Sequence, residues 1–123
     1  MKTYFPRKDQ IRELVTGKGD CVASDAITLT GRKVGYMLRE TPDSFRPDGA
    51  RGDSGWRFFA GDESDAYVAN TANFNIFPVN SIANLDADVI ALLDQPVGSA
   101  FARENGTGAF KAVAFPKQGR WKA

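Results

Sequence analysis

The sequence predicts an α+β fold with a mainly antiparallel sheet and two or three short helices packed on it. Strand-like runs follow one another instead of alternating with helices, which favours this class over a parallel βαβ arrangement. The strongest runs, at residues 33–40 and 56–60, are rich in aromatic and β-branched residues, as strands usually are. An Asn-Gly pair at residues 105–106 separates two further runs, and such a pair is typical of a β-hairpin turn.

The composition bounds the class of protein. The chain has 123 residues, of which 42% are hydrophobic, which suits a single compact domain with a modest core. The 16 Lys and Arg residues and 15 Asp and Glu residues give a net charge of +1, which argues against a nucleic-acid-binding protein. Cys21 is the single cysteine and excludes an intramolecular disulfide. Because no run suggests a signal peptide or a membrane span, we expect a cytoplasmic protein without a membrane partner.

Histidine is absent from the sequence. Its absence excludes catalytic sites of the Ser-His-Asp and Cys-His kinds and removes the commonest zinc ligand. We therefore expect neither a metal nor another cofactor.

The first third of the chain predicts a helix and a strand. Residues 6–15 have apolar side chains at helical spacing and predict a short helix that ends near Gly17. Residues 20–24 predict a strand. Ser24 then either caps a single helical turn or leads into a second extended piece over residues 27–30, and the sequence does not choose between these alternatives.

The strand predicted at residues 33–40 alternates in polarity. Val34, Tyr36 and Leu38 share one face, which we expect to be buried, and the intervening residues share the other. Gly35 inside this strand predicts a bulge or a close approach of another backbone.

A long polar loop at residues 41–55 leads to the second strong strand. Connections of this length are usually functional or mobile. In the strand at residues 56–60, Trp56 and Phe58 face one side and Arg57 faces the other, so we expect a central strand whose aromatic residues belong to the core.

Two helices are predicted in the second half of the chain. One covers residues 62–70, with Asp62 as its N-cap, and the other covers residues 81–93. Asn80 is expected to cap the first part of the second helix, and Asp86 its second part.

The remaining strands are predicted at the edges of the sheet. Residues 73–78 are expected to be extended at one edge. Residues 98–104 and 109–115 are expected to form the hairpin around the Asn-Gly turn.

Several segments, read together, resemble a known family. The most specific is DSGWRFFAGDE at residues 53–63, which is long and rich in rare residues. The other matching segments are at residues 33–37, 39–40, 73–74, 79–84, 90–94 and 98–101. The chain resembles the immunity-protein-thirty-three-like domains, long catalogued as a bacterial domain of unknown function, over about residues 20–103.

The resemblance implies a bacterial cytosolic protein that neutralises a cognate toxin by occlusion and performs no reaction. We expect the immunity-like domain at residues 20–115, with an N-terminal helical extension at residues 1–19 and a basic tail at residues 116–123 that both fall outside the resemblance. We expect the toxin to contact the long loop at residues 42–55 and the acidic turn at residues 62–65. The charged and polar candidates for this contact are Arg39, Arg46, Arg51, Asp53, Arg57, Asp62, Glu63, Asp65 and Asn84.

Two other function classes stay open. One is an enzyme that uses the carboxylates at residues 62–65, alone or with a divalent ion. Capping of a helix is the simpler interpretation of these carboxylates, because their spacing fits no calcium-binding loop. The other class is a scaffold module that forms homo-oligomers.

Overall fold

The computed structural model describes residues 2–42, 52–104 and 106–116. Six strands form one sheet in these residues. They are β1 (Asp20–Ser24), β2 (Tyr36–Arg39), β3 (Asp53–Phe59), β4 (Phe74–Pro78), β5 (Ala100–Ala102) and β6 (Lys111–Ala112). Their order in the sheet is β4-β1-β3-β2-β5-β6.

The α+β class is confirmed, but the sheet is mixed and not mainly antiparallel. Strand β3 lies between β1 and β2, and it runs parallel to β1 and antiparallel to β2. The antiparallel prediction assumed that successive strands are neighbours. Here β1 and β2 are separated by the later strand β3, and the pair β1–β3 is parallel. The outer pairs β1–β4, β2–β5 and β5–β6 are antiparallel.

In the described residues, three short α-helices connect or cover the strands. They are α1 (Asp25–Thr28), α2 (Asp65–Ala69) and α3 (Val79–Leu85). The hydroxyl of Ser24 accepts a hydrogen bond from the amide of Ala26, so Ser24 caps a helical turn and no second extended piece forms. The same part of the chain also forms 3-10 turns at Lys8–Gln10, Thr71–Asn73 and Ala87–Leu92.

Two predicted N-caps are wrong, and one is confirmed. Ser64, not Asp62, caps α2, because its hydroxyl accepts the amide of Tyr67 at 3.1 Å. Asn80 lies inside α3, which starts after Pro78. Asp86 does act as a cap, but the segment that follows is a 3-10 turn, so the helix predicted at residues 81–93 is divided.

The N-terminal helix predicted at residues 6–15 is also wrong. Only Lys8–Gln10 form a single 3-10 turn, and the residues after it have no regular structure. Side chains of Asn80 and Asn84 engage the peptide groups of this segment. These contacts come from a part of the chain more than 60 residues away, which a local helical pattern does not reveal.

The core has two layers, one on each face of the sheet. The larger contains Trp56, Phe58 and Met37 with the apolar side of α3. The smaller contains Leu38 and Phe59 with Val68 of α2 and Ala100. The opposite facing of alternate residues in β3 is therefore confirmed. The prediction that the strand at residues 33–40 has one buried face is wrong, because Met37 is as inaccessible as Leu38 and the sheet is covered on both sides.

The two edges of the sheet lie where the sequence predicts them. Strand β4 pairs with β1 at one edge, and β5 and β6 form an antiparallel pair at the other. The strands of this pair are shorter than predicted, and Asn105 lies outside the described residues. None of the helices in the described part of the chain is long and apolar enough to cross a membrane.

Gly35 occupies a position where no side chain fits. Its amide donates to the carbonyl of Phe59 at 2.9 Å, and its own carbonyl accepts from the amide of Arg103 at 3.0 Å. A Cβ atom built on Gly35 would overlap the carbonyl oxygen of Ala60. The predicted close approach of another backbone at Gly35 is therefore confirmed.

Replacing Gly35 by alanine should lower the free energy of unfolding by at least about 3 kcal/mol, because two backbones would have to separate. Gly17→Ala is the control. Gly17 has φ +68° and nothing within 4 Å, so only the left-handed conformation is penalised, by about 1 kcal/mol. Urea denaturation measures both values, and equal losses in the two variants would contradict the account.

Candidate functional site

The charged residues of the signature segment lie inside the sheet. The guanidinium of Arg57 donates from Nη1 and Nη2 to the two carboxylate oxygens of Asp53, at 2.8 and 2.7 Å. Its Nε donates to Glu40 Oε2 at 2.6 Å. The Arg57 and Asp53 side chains are only 2% and 0% exposed. Burial opposes the charge on Arg57, but the bonds to Asp53 and Glu40 outweigh it, and the pKa of Arg57 is raised.

The sequence positions this cluster through strand geometry. Asp53 and Arg57 are four residues apart in β3, so their side chains emerge on the same face. In register, Arg57 lies opposite Leu38 of β2 and Val22 of β1. The Arg57–Asp53 pair is therefore buried beside apolar residues of the two neighbouring strands, where its charges stabilise the fold only while they remain paired.

Arg39 is engaged by the backbone of its own chain. Its Nε donates to the carbonyl of Ser54 at 2.9 Å, and its Nη1 donates to the carbonyl of Gln95 at 2.8 Å. Its guanidinium also lies over the ring of Trp56, 5.6 Å from the centroid. These contacts join β2 and β3 to the chain that follows the Ala87–Leu92 turn.

A cleft of about 380 Å³ opens beside Arg39 at the start of β3. The residues that line it include Lys18, Ser54 and Asp94. The ammonium of Lys18 bonds to the carboxylate of Asp94 at 2.6 Å, and this bond holds the pKa of Asp94 below its ordinary value. An ion pair within the chain thus spans the rim of the cleft.

The acidic turn does not bring its carboxylates together. Asp62 points outward and forms a two-fold hydrogen-bonded pair with Arg32, with both distances 3.0 Å. Glu63 is buried and accepts the amides of Ala60 and Gly61 at 2.8 and 2.9 Å. Asp65 is exposed in the first turn of α2. Two of the three carboxylates thus bind different parts of their own chain.

A second cleft, of about 270 Å³, lies directly beside the acidic turn. Its floor includes Gly35 and the half-buried ring of Tyr36, and burial raises the pKa of that phenol. Asp62 and Glu104 contribute carboxylates to its lining, and both are exposed to solvent. Arg103 also lines this cleft, but its guanidinium bonds to Asp86 and Asp88.

Asn84, the remaining described candidate, binds the N-terminal segment. Its amide group contacts the main chain of Arg12. Arg46 and Arg51 lie outside the described residues. Four of the candidates therefore bind other parts of their own chain: Arg39, Asp53, Arg57 and Asn84. Two candidates, Asp62 and Asp65, face solvent.

Sequence reasoning missed Arg103, Asp86 and Asn80 as organising residues. Arg103 bonds to Asp86 and also stacks on Phe110, 4.2 Å from the ring centroid. Asp86 further accepts the amide of Val34 at 3.0 Å. The hydrogen bonds of Asp86 to Arg103 and to Val34 join residues that are 17 and 52 positions apart, so no spacing pattern indicates them. Within the described ranges, no group of three or more acidic or cysteine side chains could hold a metal ion.

Comparison with protein families identifies the domain. The model of the Immunity protein Imm33 domain matches residues 21–114, well over half of the chain. The chain belongs to the Imm33 immunity protein family. The match runs from β1 to just beyond β6 and leaves the N-terminal segment outside it. No curated protein and no solved structure matches the chain.

Removing the buried guanidinium should destabilise the Imm33 domain strongly. Arg57→Met should cost about 3–5 kcal/mol, because Asp53 keeps a buried charge without that guanidinium. Arg32→Met is the matched control. It removes an exposed pair and should cost within about 1 kcal/mol. Chemical denaturation distinguishes the two variants, and similar stabilities would show that the Arg57 cluster is not buried.

The exposed ion pair between Arg32 and Asp62 makes a pH-dependent contribution to stability. The hydrogen bonds from Arg32 hold the pKa of Asp62 below its ordinary value. The stabilisation by this pair is therefore present above the unfolded-state pKa and is lost as the pH falls through the folded-state pKa.

An NMR titration of the carboxyl carbons tests this shift. The pKa of Asp62 should rise toward the ordinary range in Arg32→Met. Asp94 is the internal control, because its lowered pKa depends on Lys18 and should not move. An unchanged Asp62 titration in the variant would refute the assignment.

Proposed function

We propose that this chain is an immunity protein that binds a cognate toxin and covers its active or substrate-binding surface without catalysing a reaction. The match to the Imm33 family over residues 21–114 carries this proposal. The neutralisation of a toxin requires only a stable complementary surface, which a rigid mixed sheet can present. The near-neutral net charge of +1 favours recognition through local charged patches.

The arrangement of the acidic turn supports a binding role over a carboxylate-based reaction. General acid–base chemistry needs carboxylates that converge on one reacting group. Asp62 is bonded to Arg32, and Glu63 to backbone amides. Neither carboxylate has the arrangement that the enzyme hypothesis requires.

We assign the first contact surface to the cleft between the acidic turn and the end of β5. Glu104 places an exposed carboxylate at this cleft beside the Asp62–Arg32 ion pair, and Tyr36 also lines the cleft. A lysine or arginine side chain from the toxin has the matching charge, and its methylene stem can pack on the Tyr36 ring. Residues 53–55 are buried in β3, so the second expected contact is the rest of the predicted loop at residues 42–52, of which residues 43–51 lie outside the described part of the chain.

Affinity capture tests whether such a partner exists. The tagged chain is recovered from its native cytosol, and the co-eluting proteins are identified by mass spectrometry. We expect one stoichiometric protein whose expression alone is toxic and whose toxicity disappears when this chain is co-expressed. An empty eluate under conditions where the toxin is expressed, or toxicity that co-expression leaves unchanged, would count against the proposal.

Charge removal at the cleft tests the contact surface. Asp62→Asn with Glu104→Gln should weaken toxin binding about tenfold, mainly through slower association, because exposed charges contribute modestly and steer the encounter. Asp9→Asn with Glu13→Gln is the matched control, since both side chains are exposed on the N-terminal segment. Calorimetry and stopped-flow kinetics with the captured toxin measure the difference. Equal effects of the two double variants would place the contact elsewhere.

A further inference from the structure

Residues 11–18 contain no helix or strand and form an N-terminal strap that is bound by side chains of α3. Asn80 and Asn84 are four residues apart in α3, so their side chains project from the same face of the helix. These two residues form an asparagine pair under the strap. The strap lies outside the residues that match the Imm33 model, and the asparagine pair lies within them.

The asparagine pair binds the main chain of the strap through five hydrogen bonds. Asn84 accepts from the amide of Arg12 at 2.9 Å and donates to the carbonyl of Arg12 at 2.8 Å. Asn80 donates to the same carbonyl at 2.8 Å. Its Oδ1 accepts the amides of Leu14 and Val15 at 2.9 and 3.1 Å.

Each of these bonds joins a side-chain amide to a peptide group. An asparagine amide carries both a donor and an acceptor, which matches the N–H and C=O of a peptide main chain. The side chains of Arg12, Glu13 and Leu14 are exposed. Recognition at this site therefore depends on the backbone of the bound segment and only weakly on its sequence.

The strap has few anchors beyond these bonds. Val15 packs against the larger core layer, and Lys18 pairs with the exposed carboxylate of Asp94. Gly17, at φ +68°, adopts the left-handed conformation in the strap, and a Cβ atom built on it would meet nothing within 4 Å. Solvent-accessible hydrogen bonds and exposed ion pairs each contribute about 1 kcal/mol or less, so the strap can open without unfolding the sheet.

We propose that the asparagine pair is a binding site for the main chain of a partner polypeptide segment, and that the strap occupies this site until the partner replaces it. The strap itself demonstrates the chemistry of the ligand, because it is a peptide held by its main chain. The proposal does not depend on the toxin-binding cleft, and either can fail without the other.

A labelled peptide in combination with an opened strap tests this site. The probe is a fluorescent peptide with the sequence of residues 10–17, QIRELVTG. The receptor is the full chain carrying Arg12→Pro and Leu14→Pro. Proline has no N–H, so the strap of this variant loses the donors of residues 12 and 14 to Asn84 and Asn80 and keeps the amide of Val15, while the sequence of α3 is unchanged.

Fluorescence anisotropy should show at least about tenfold tighter binding to the opened variant than to the wild type, whose strap competes at high effective concentration. Adding Asn80→Ala and Asn84→Ala should abolish binding, since alanine maintains the helix but removes the amides. A probe with N-methyl groups at the positions of Arg12 and Leu14 should not bind. Equal binding to the wild type and the opened variant, or binding that survives loss of both asparagines, would overturn the proposal.

Hydrogen exchange in the wild-type chain provides a test that needs no variant. The amides of Arg12, Leu14 and Val15 should exchange at least about a hundredfold faster than those of β3, because the strap opens locally. Exchange of these amides only through global unfolding would show that the site does not open, and it would overturn the proposal even if the opened variant failed to fold.

Discussion

The structure depends on one constraint, which is that the positive charge of Arg57 is buried in the middle of a sheet. A buried guanidinium is tolerated only if carboxylates or carbonyl groups satisfy its donors. Asp53 provides a two-fold pair from the same strand, and Glu40 provides a second carboxylate from the end of β2. A backbone hydrogen bond joins the same two segments, because the amide of Glu40 donates to the carbonyl of Gly55 in β3 at 2.9 Å.

The other polar groups of the signature segment also connect strands. The hydroxyl of Ser54 donates to the carbonyl of Asp20 at 2.6 Å and so joins β3 to β1. The carbonyl of Ser54 accepts from Arg39, and the indole N–H of Trp56 donates to the carbonyl of Leu93 at 3.1 Å. The most recognisable part of this Imm33 sequence is thus an architectural element. Under the proposed function, recognition of a partner is left to the exposed groups around it, such as Asp62 and Glu104.

The sequence predicts those features that depend on neighbouring residues. The strands at β1 and β3, the opposite facing of Trp56 and Arg57, and the close backbone approach at Gly35 all follow from local patterns. The position of β3 between β1 and β2 does not, because strand order is fixed by pairing between distant segments. The same limit explains why the burial of Met37 is not predicted, because it requires that the second face of the sheet is also covered.

The candidate site illustrates this limit more clearly. Because Arg57 and Asp53 are charged, the sequence predicts that they contact a partner. Their four-residue spacing in a strand instead lets them pair with each other. Asn84 is singled out as a binding residue, and it does bind a peptide, although the peptide is the chain's own N-terminal segment. The helical pattern at residues 6–15 gives no indication of this contact, because the asparagines follow more than 60 residues later.

The central claim is that Arg57 is locked inside the sheet and is not presented to a partner. Solvent exchange of the Arg57 side-chain Nε–H, followed by NMR, tests this claim directly, with the exposed Arg12 as an internal reference. We expect the Arg57 signal to exchange as slowly as the backbone amides of β3, because both are released only when the sheet unfolds. Exchange of Arg57 as fast as that of Arg12 would contradict the account and would make Arg57 available to a partner.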